Sequence, residues 1–312
     1  MCKITKNKRE TMQNIEQESH SKTKLAVILA WLFLLLSISV LSGSGNEVKI
    51  NPDNQTMVTF LYIMQVLLVI IFFILPSLLF SVFWTKQRIH YIGITTKPAV
   101  STLLLSGIGI LMAMPMINWL AELNQHMQLP EALSGIETWM KNSEAKAAEM
   151  TEVFTRGTSI GKLILNLFVI AFMAALSEEI FFRGVLQKVL IETTRNKHIG
   201  IWIAAALFSA FHMQFFGFIP RLLMGAYLGY LFLWSGSLWP GMIAHFLNNG
   251  TQVFLLWLMN RGEISSDADK IGIEQGEWVY VFTSIFTVSI SLFLVYRIEK
   301  KRKNTTKNID PV

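Results

Sequence analysis

The sequence predicts an all-α fold: a polytopic membrane helix bundle of about eight spans with an intramembrane polar cavity. Three observations predict it. Hydrophobic residues make up 52% of the 312-residue chain and charged residues only 15%, against about 25% charged in an average soluble domain. The charges are bunched, leaving long uncharged runs, and about 20 apolar residues in a helix cross a ~30 Å hydrocarbon core. A few polar residues that can carry chemistry recur inside those runs.

The runs place spans at about 25–43, 57–84, 99–120, 158–182, 199–216, 221–235, 238–259 and 277–296. The first begins after a long polar leader, which reads as a retained span and not a cleaved signal peptide. Pro76 and Pro115 fall inside the second and third, where kinks are tolerated. The sixth is short and is parted from the seventh by Gly236 and Pro240. The sole cysteine, Cys2, excludes an internal disulfide and a cysteine metal cluster.

The net charge of +6 does not point to nucleic acid. Lys3, Lys6, Lys8, Arg9, Lys22 and Lys24 precede the first apolar run, and Arg297, Lys300, Lys301, Arg302, Lys303 and Lys307 follow the last. Basic clusters beside spans mark the cytoplasmic side and favour anionic headgroups. Lys86, Arg88 and Lys97, then Lys188, Arg195 and Lys197, put two further loops inside. Acidic balances at Glu47 and Asp53, and at Glu263, Asp267, Asp269, Glu274 and Glu277, put two outside. A multi-pass protein of the cell (inner) membrane with both termini cytoplasmic satisfies all four. The long 121–157 loop, with Trp139 and mixed charges, reads as a solvated or interfacial helix without chemistry. The chain divides into a basic tail (1–24), N-terminal spans with the outer loop (25–157), a core (158–256) and a last span with a basic tail (257–312).

Chemistry concentrates in three segments. In Ser177-Glu178-Glu179-Ile180-Phe181-Phe182-Arg183-Gly184, two adjacent carboxylates follow about twenty uncharged residues. Glu179 and Arg183, at i and i+4, share a helix face and can pair, while Glu178 points about 100° away. The bland alternative is a helix that simply ends at the cytoplasmic surface. Phe208-Ser209-Ala210-Phe211-His212 carries a lone histidine in an apolar helix, with Phe208 able to wall off its apolar side; such a histidine is often just a satisfied core residue. His245-Phe246-Leu247-Asn248-Asn249 places His245 and Asn249 on one face, which interhelical hydrogen bonding alone could explain. Together the segments hold a hydrolytic set. A carboxylate can take a proton from water, histidine can share it or hold a metal, and asparagine can donate to an oxyanion.

The order and spacing of Glu178-Glu179-x-x-x-Arg183, Phe208-x-x-x-His212 and His245-x-x-x-Asn249 resemble the CPBP family. It comprises CaaX proteases of the Ras-converting-enzyme type and the bacteriocin-processing and immunity (Abi) proteins. The resemblance implies an intramembrane endopeptidase acting on a membrane-associated peptide or protein substrate near its C-terminus. It implies that Glu178 and His212 activate a water, that His245 and Asn249 form the oxyanion hole, and that Glu179 supports the site through Arg183. Zinc on His212, His245 and Glu178 would suit a tetrahedral site with one open position, but no HExxH is present, so a metal-independent glutamate mechanism is the expectation. A non-catalytic immunity or partner-binding protein is the alternative. A proton-coupled transporter is the third reading, weakened by the lack of internal repeats. The expected partners are the bilayer and a membrane-associated substrate, with no nucleic acid.

Overall fold

The structure, a computed structural model, describes residues 22–32, 51–85, 89–127, 129–265, 271–273 and 276–309. Their regular structure is helical throughout. In chain order the main helices are α1 (22–32), α2 (Gln55–Trp84), α3 (Val100–Met112), α4 (Met114–Gln125), α5 (Ser134–Thr155), α6 (Ile160–Thr194), α7 (Lys197–Phe211), α8 (Phe218–Ser235), α9 (Trp239–Asn260) and α10 (Trp278–Ile309). Outward-facing Phe60, Phe83, Leu104, Phe282, Phe286 and Phe293 are exposed, a surface suited to lipid and a liability in water.

Among the described residues, four helices are long and apolar enough to cross a membrane: α2, α6, α8 with its preceding turn, and α10. The pair α3 and α4, bent by 44°, makes a fifth if it counts as one span. The expected spans near 199–216 and 238–259 differ from this measure for visible reasons. Helix α7 has 15 residues, short of the ~20 needed, and α9 carries His245, Asn248, Asn249 and Gln252 along its length. Residues 33–43 of the first expected span lie outside the described residues, as do Cys2, Lys86, Arg88, Asp267, Asp269 and Glu274.

The prolines act as their chemistry requires. Pro76 removes an N–H from α2 and would crowd the carbonyl of Phe72, four residues back. The backbone widens to a π-helical turn at Ile70–Ile74, and the Phe72 carbonyl instead accepts the Trp31 indole N–H at 3.0 Å. Pro115 sits in the first turn of α4, where the missing N–H costs nothing, just after the bend at Ala113.

Helix α6 is the axis of the bundle. It has 35 residues, so Glu178 and Glu179 stand near its middle. The helix does not end at the paired carboxylates, and the residues after them, Ile180 to Gln187, are buried. Around it pack α2, the antiparallel pair α7 and α8, and α9. Small residues set the spacing. A Cβ on Gly225 of α8 would lie 3.1 Å from Ala205 of α7, and one on Gly184 would lie 2.7 Å from Ile92. An aromatic cluster of Phe73, Phe181, Phe182 and Phe208 fills the space between α2, α6 and α7.

Candidate active site

Three helices bring the sequence-singled residues together. Glu178 comes from α6, His212 caps the C-terminal end of α7, and His245 lies near the start of α9. Glu178 Oε2 is 3.8 Å from His212 Nε2 and 3.8 Å from His245 Nε2. Both separations exceed direct hydrogen-bond range, and polar contacts of this length are ones that water can bridge.

Each imidazole is oriented by its other nitrogen. His212 Nδ1 is 2.9 Å from the Phe208 carbonyl oxygen, which can only accept. His245 Nδ1 is 3.1 Å from Glu179 Oε1. The proton therefore sits on Nδ1 in both rings, and both Nε2 atoms face Glu178. Glu178 Oε2 is buried and has no hydrogen-bond partner among the described residues. Two Nε2 lone pairs and a carboxylate oxygen thus converge, a set of acceptors that calls for a donor between them.

Behind this group lies a buried ionic cluster. Glu179 Oε1 accepts from Arg183 Nη1 at 2.6 Å and meets His245. Arg183 also donates through Nη2 to the Gly225 carbonyl at 3.1 Å, and its guanidinium carbon stands 4.5 Å over the Phe208 ring. Burying a charge is costly unless it is paired and hydrogen-bonded, and Arg183 has a carboxylate, a carbonyl and a ring face. Phe208 serves three neighbours at once. It meets His212 edge-to-face at 5.0 Å, His245 at 5.8 Å and the guanidinium on its face, so the expected wall is present. Asn249 lies one turn beyond His245; its Oδ1 accepts from Asn248 Nδ2 at 3.1 Å, which leaves the Asn249 amide N–H groups to donate.

Several residues escaped the sequence reading. Gly241 on α9 admits Glu179, whose Oε2 would lie 2.7 Å from a Cβ there. Gln187, one turn after Arg183, donates to the Gly229 carbonyl at 3.0 Å, so the two side chains bind successive turns of α8 at Gly225 and Gly229. The Gly225-x-x-x-Gly229 spacing, a helix-packing signature, could have pointed to this contact. Asn124 of α4 fixes the loop after His212, donating to the Phe215 carbonyl at 2.8 Å and accepting from Ile219 N–H at 2.9 Å.

No group of three or more His, Cys, Asp or Glu side chains among the described residues is arranged to hold a metal ion.

Comparison with known proteins agrees with the motif reading. Residues 160–251 match the family model described as type II CAAX prenyl endopeptidase Rce1-like. All three motif segments lie inside this match, which bears out the family resemblance read from them. A stretch of 88 residues is 33% identical to the uncharacterized protein YpbD of Bacillus subtilis (strain 168). That stretch is 27% of this chain and 42% of the YpbD length, so the similarity spans less than half of either protein. No solved structure matches the chain.

Proposed function

We propose that this chain is an intramembrane endopeptidase that hydrolyses a membrane-associated peptide or protein with water activated by Glu178 and His212. The observation that carries the reading is the convergence of Glu178 Oε2 with His212 Nε2 and His245 Nε2, each 3.8 Å away. A water donating to Glu178 and to His212 Nε2 satisfies two of these three acceptors and is held for attack. Glu178 accepts a proton as the water oxygen bonds to the scissile carbonyl carbon, and returns it to the leaving amine as the C–N bond breaks. His212 shares the water's second hydrogen, with its ring fixed by the Phe208 carbonyl. The oxyanion takes hydrogen bonds from the Asn249 amide and from His245, once its Nε2 has taken up a proton from solvent, with Glu179 balancing the charge. Arg183 holds Glu179 in place through their 2.6 Å pair. No step is routed through a metal.

The proposal extends to topology: eight spans, both ends cytoplasmic, α5 on the outer face, in the cell membrane with lipid as its solvent and no nucleic-acid partner. The Lys/Arg asymmetry of the loops supports it.

The test compares membrane peptides in cells expressing wild type or Glu178→Gln. Gln keeps the side-chain shape but cannot take the proton, so a fragment present with wild type should vanish with the variant. A chelator added to purified wild type should leave cleavage intact, and loss restored by zinc would replace this mechanism with a metal-dependent one. If Glu178→Gln keeps the full cellular phenotype, the partner-binding or immunity reading takes its place.

A further inference from the structure

A groove of about 240 Å³ lies between α4, α8 and α10, and none of the acid–histidine cluster lines it. It follows α8 from Pro220 to Tyr230, with Ile110, Ala113, Trp202 and Leu292 among its walls. Ten residues of helix measure about 15 Å, the depth of one leaflet of a ~30 Å hydrocarbon core. The tyrosine hydroxyls beside it are engaged elsewhere. Tyr227 donates to the Ser106 carbonyl at 2.8 Å, and the Tyr230 hydroxyl lies 2.8 Å from His198 Nδ1. The lining that remains is apolar.

Three helices carry the groove into a polar cluster one turn further on. His198 precedes Trp202 by four residues on α7, Trp234 follows Tyr230 by four on α8, and Tyr296 and Lys300 continue from Leu292 at the same interval on α10. Such positions share a helix face. Their side chains meet: Tyr230 packs on Trp234 at 5.3 Å, Trp234 on Tyr296 at 5.5 Å, and Lys300 Nζ donates to the Tyr296 hydroxyl at 3.1 Å. Lys303 of α10 and Lys197, the first residue of α7, stand close enough to repel each other. Glu299, whose charge also reaches Lys303, is already committed. Its carboxylate accepts from Thr102 Oγ1 at 2.6 Å, the Ala99 N–H at 3.2 Å and Arg302 Nη1 at 3.2 Å.

We propose that this is a binding site for one anionic phospholipid, its acyl chain in the groove and its phosphate among Lys197, Lys300 and Lys303. Aromatic rings and lysines at the end of an apolar slot one leaflet deep match the membrane–water boundary. A lipid without net charge would fill the slot equally well but leave the lysine charge unbalanced. The same helix α8 offers the Gly225 and Gly229 carbonyls to Arg183 and Gln187, so the lipid backs a helix that holds the buried ionic cluster. This site does not depend on the peptidase reading.

The test titrates purified full-length protein in detergent with phosphatidylglycerol or with phosphatidylcholine of the same acyl chains, and native mass spectrometry counts the lipid retained. Phosphatidylglycerol should bind roughly 10- to 30-fold more tightly, the worth of two lysines beside a charged headgroup. Lys300→Gln combined with Lys303→Gln should bring it down to the phosphatidylcholine level and leave phosphatidylcholine unchanged. Leu223→Trp, which fills the groove, should weaken both. Phosphatidylglycerol with a diazirine in its acyl chain should crosslink wild type within 110–120, 220–230 and 288–292, which keeps the site testable if a variant fails to fold. Equal binding of the two lipids by wild type, binding of neither, or crosslinks confined to other faces overturns the proposal, as does a double lysine variant that keeps the preference. Displacement of the bound lipid by an N-acylated peptide would make the groove a substrate subsite, and overturns it too.

Discussion

The two halves of the site differ in how they meet solvent. On the inner half, Glu179, Arg183 and His245 have side chains only 0–2% exposed. On the outer half, Glu178 is 17% and His212 27% exposed. The inner half pairs carboxylate to guanidinium, guanidinium to carbonyl and carboxylate to imidazole, with Glu179 Oε2 left without a partner among the described residues. The outer half ends in lone pairs that face one another without a donor. Paired opposite charges make a scaffold, and acceptors facing one another make a place for a reactant. Substitutions should therefore separate, with outer ones removing chemistry from a folded protein and inner ones removing the fold that holds the chemistry.

The largest effect should come from Glu178→Gln. Peptide hydrolysis should fall by about 10²–10⁴-fold, the usual contribution of a positioned general base, with an unchanged melting temperature in detergent. A variant that keeps its turnover would break the division between the halves. Arg183→Ala should behave oppositely. It strands a fully buried Glu179, which costs about 3–5 kcal/mol, read as lower yield of folded protein and an earlier unfolding transition.

How much of this was legible in the sequence follows from which facts are local. The Glu179–Arg183 pair and the shared face of His245 and Asn249 are consequences of helical spacing within one segment, and the structure keeps the pair at 2.6 Å. The wall made by Phe208 was equally local. What could not be read is what one helix demands of another. Gly241 matters only because Glu179 arrives from α6, and Gln187 only because the carbonyl of Gly229 is turned towards it. Asn124 lies outside every motif, yet it sets the loop that carries His212. The span count diverged for a related reason. Hydropathy reads composition along a line, whereas α7 is a short helix with one buried face, so its apolar residues serve packing as much as lipid.

Asn249→Ala sharpens the comparison, because Asn249 adjoins the inner half in sequence but is proposed to serve the outer half in chemistry. Turnover should drop about 10²–10³-fold, as for one oxyanion donor, with KM little changed. A loss confined to KM would place Asn249 in substrate binding instead. A cysteine at Glu149 should react with an impermeant reagent in intact cells, and one at Asn304 only after permeabilisation. The reverse would invert the bundle and move the outer half to the other face.

Gly241→Ala should have the smallest effect and the most informative one. The added Cβ would sit 2.7 Å from Glu179 Oε2, closer than atoms tolerate. The carboxylate cannot swing aside freely, because its other oxygen is tied to Arg183 and His245. Either α9 retreats from α6 or the carboxylate rotates away from its partners, at about 1–3 kcal/mol for an overpacked core. Both responses move His245, so turnover should fall along with stability, unlike the clean separation expected for Glu178→Gln. Glu179→Asp withdraws the carboxylate by one methylene and should by itself loosen both pairings. Combined with Gly241→Ala it removes the clash, so the double variant should be more stable than the sum of the two single losses, the coupling expected of residues in contact. Strict additivity in a thermal-unfolding cycle would mean that Gly241 and Glu179 do not constrain each other. The inner half would then owe its rigidity to Arg183 alone.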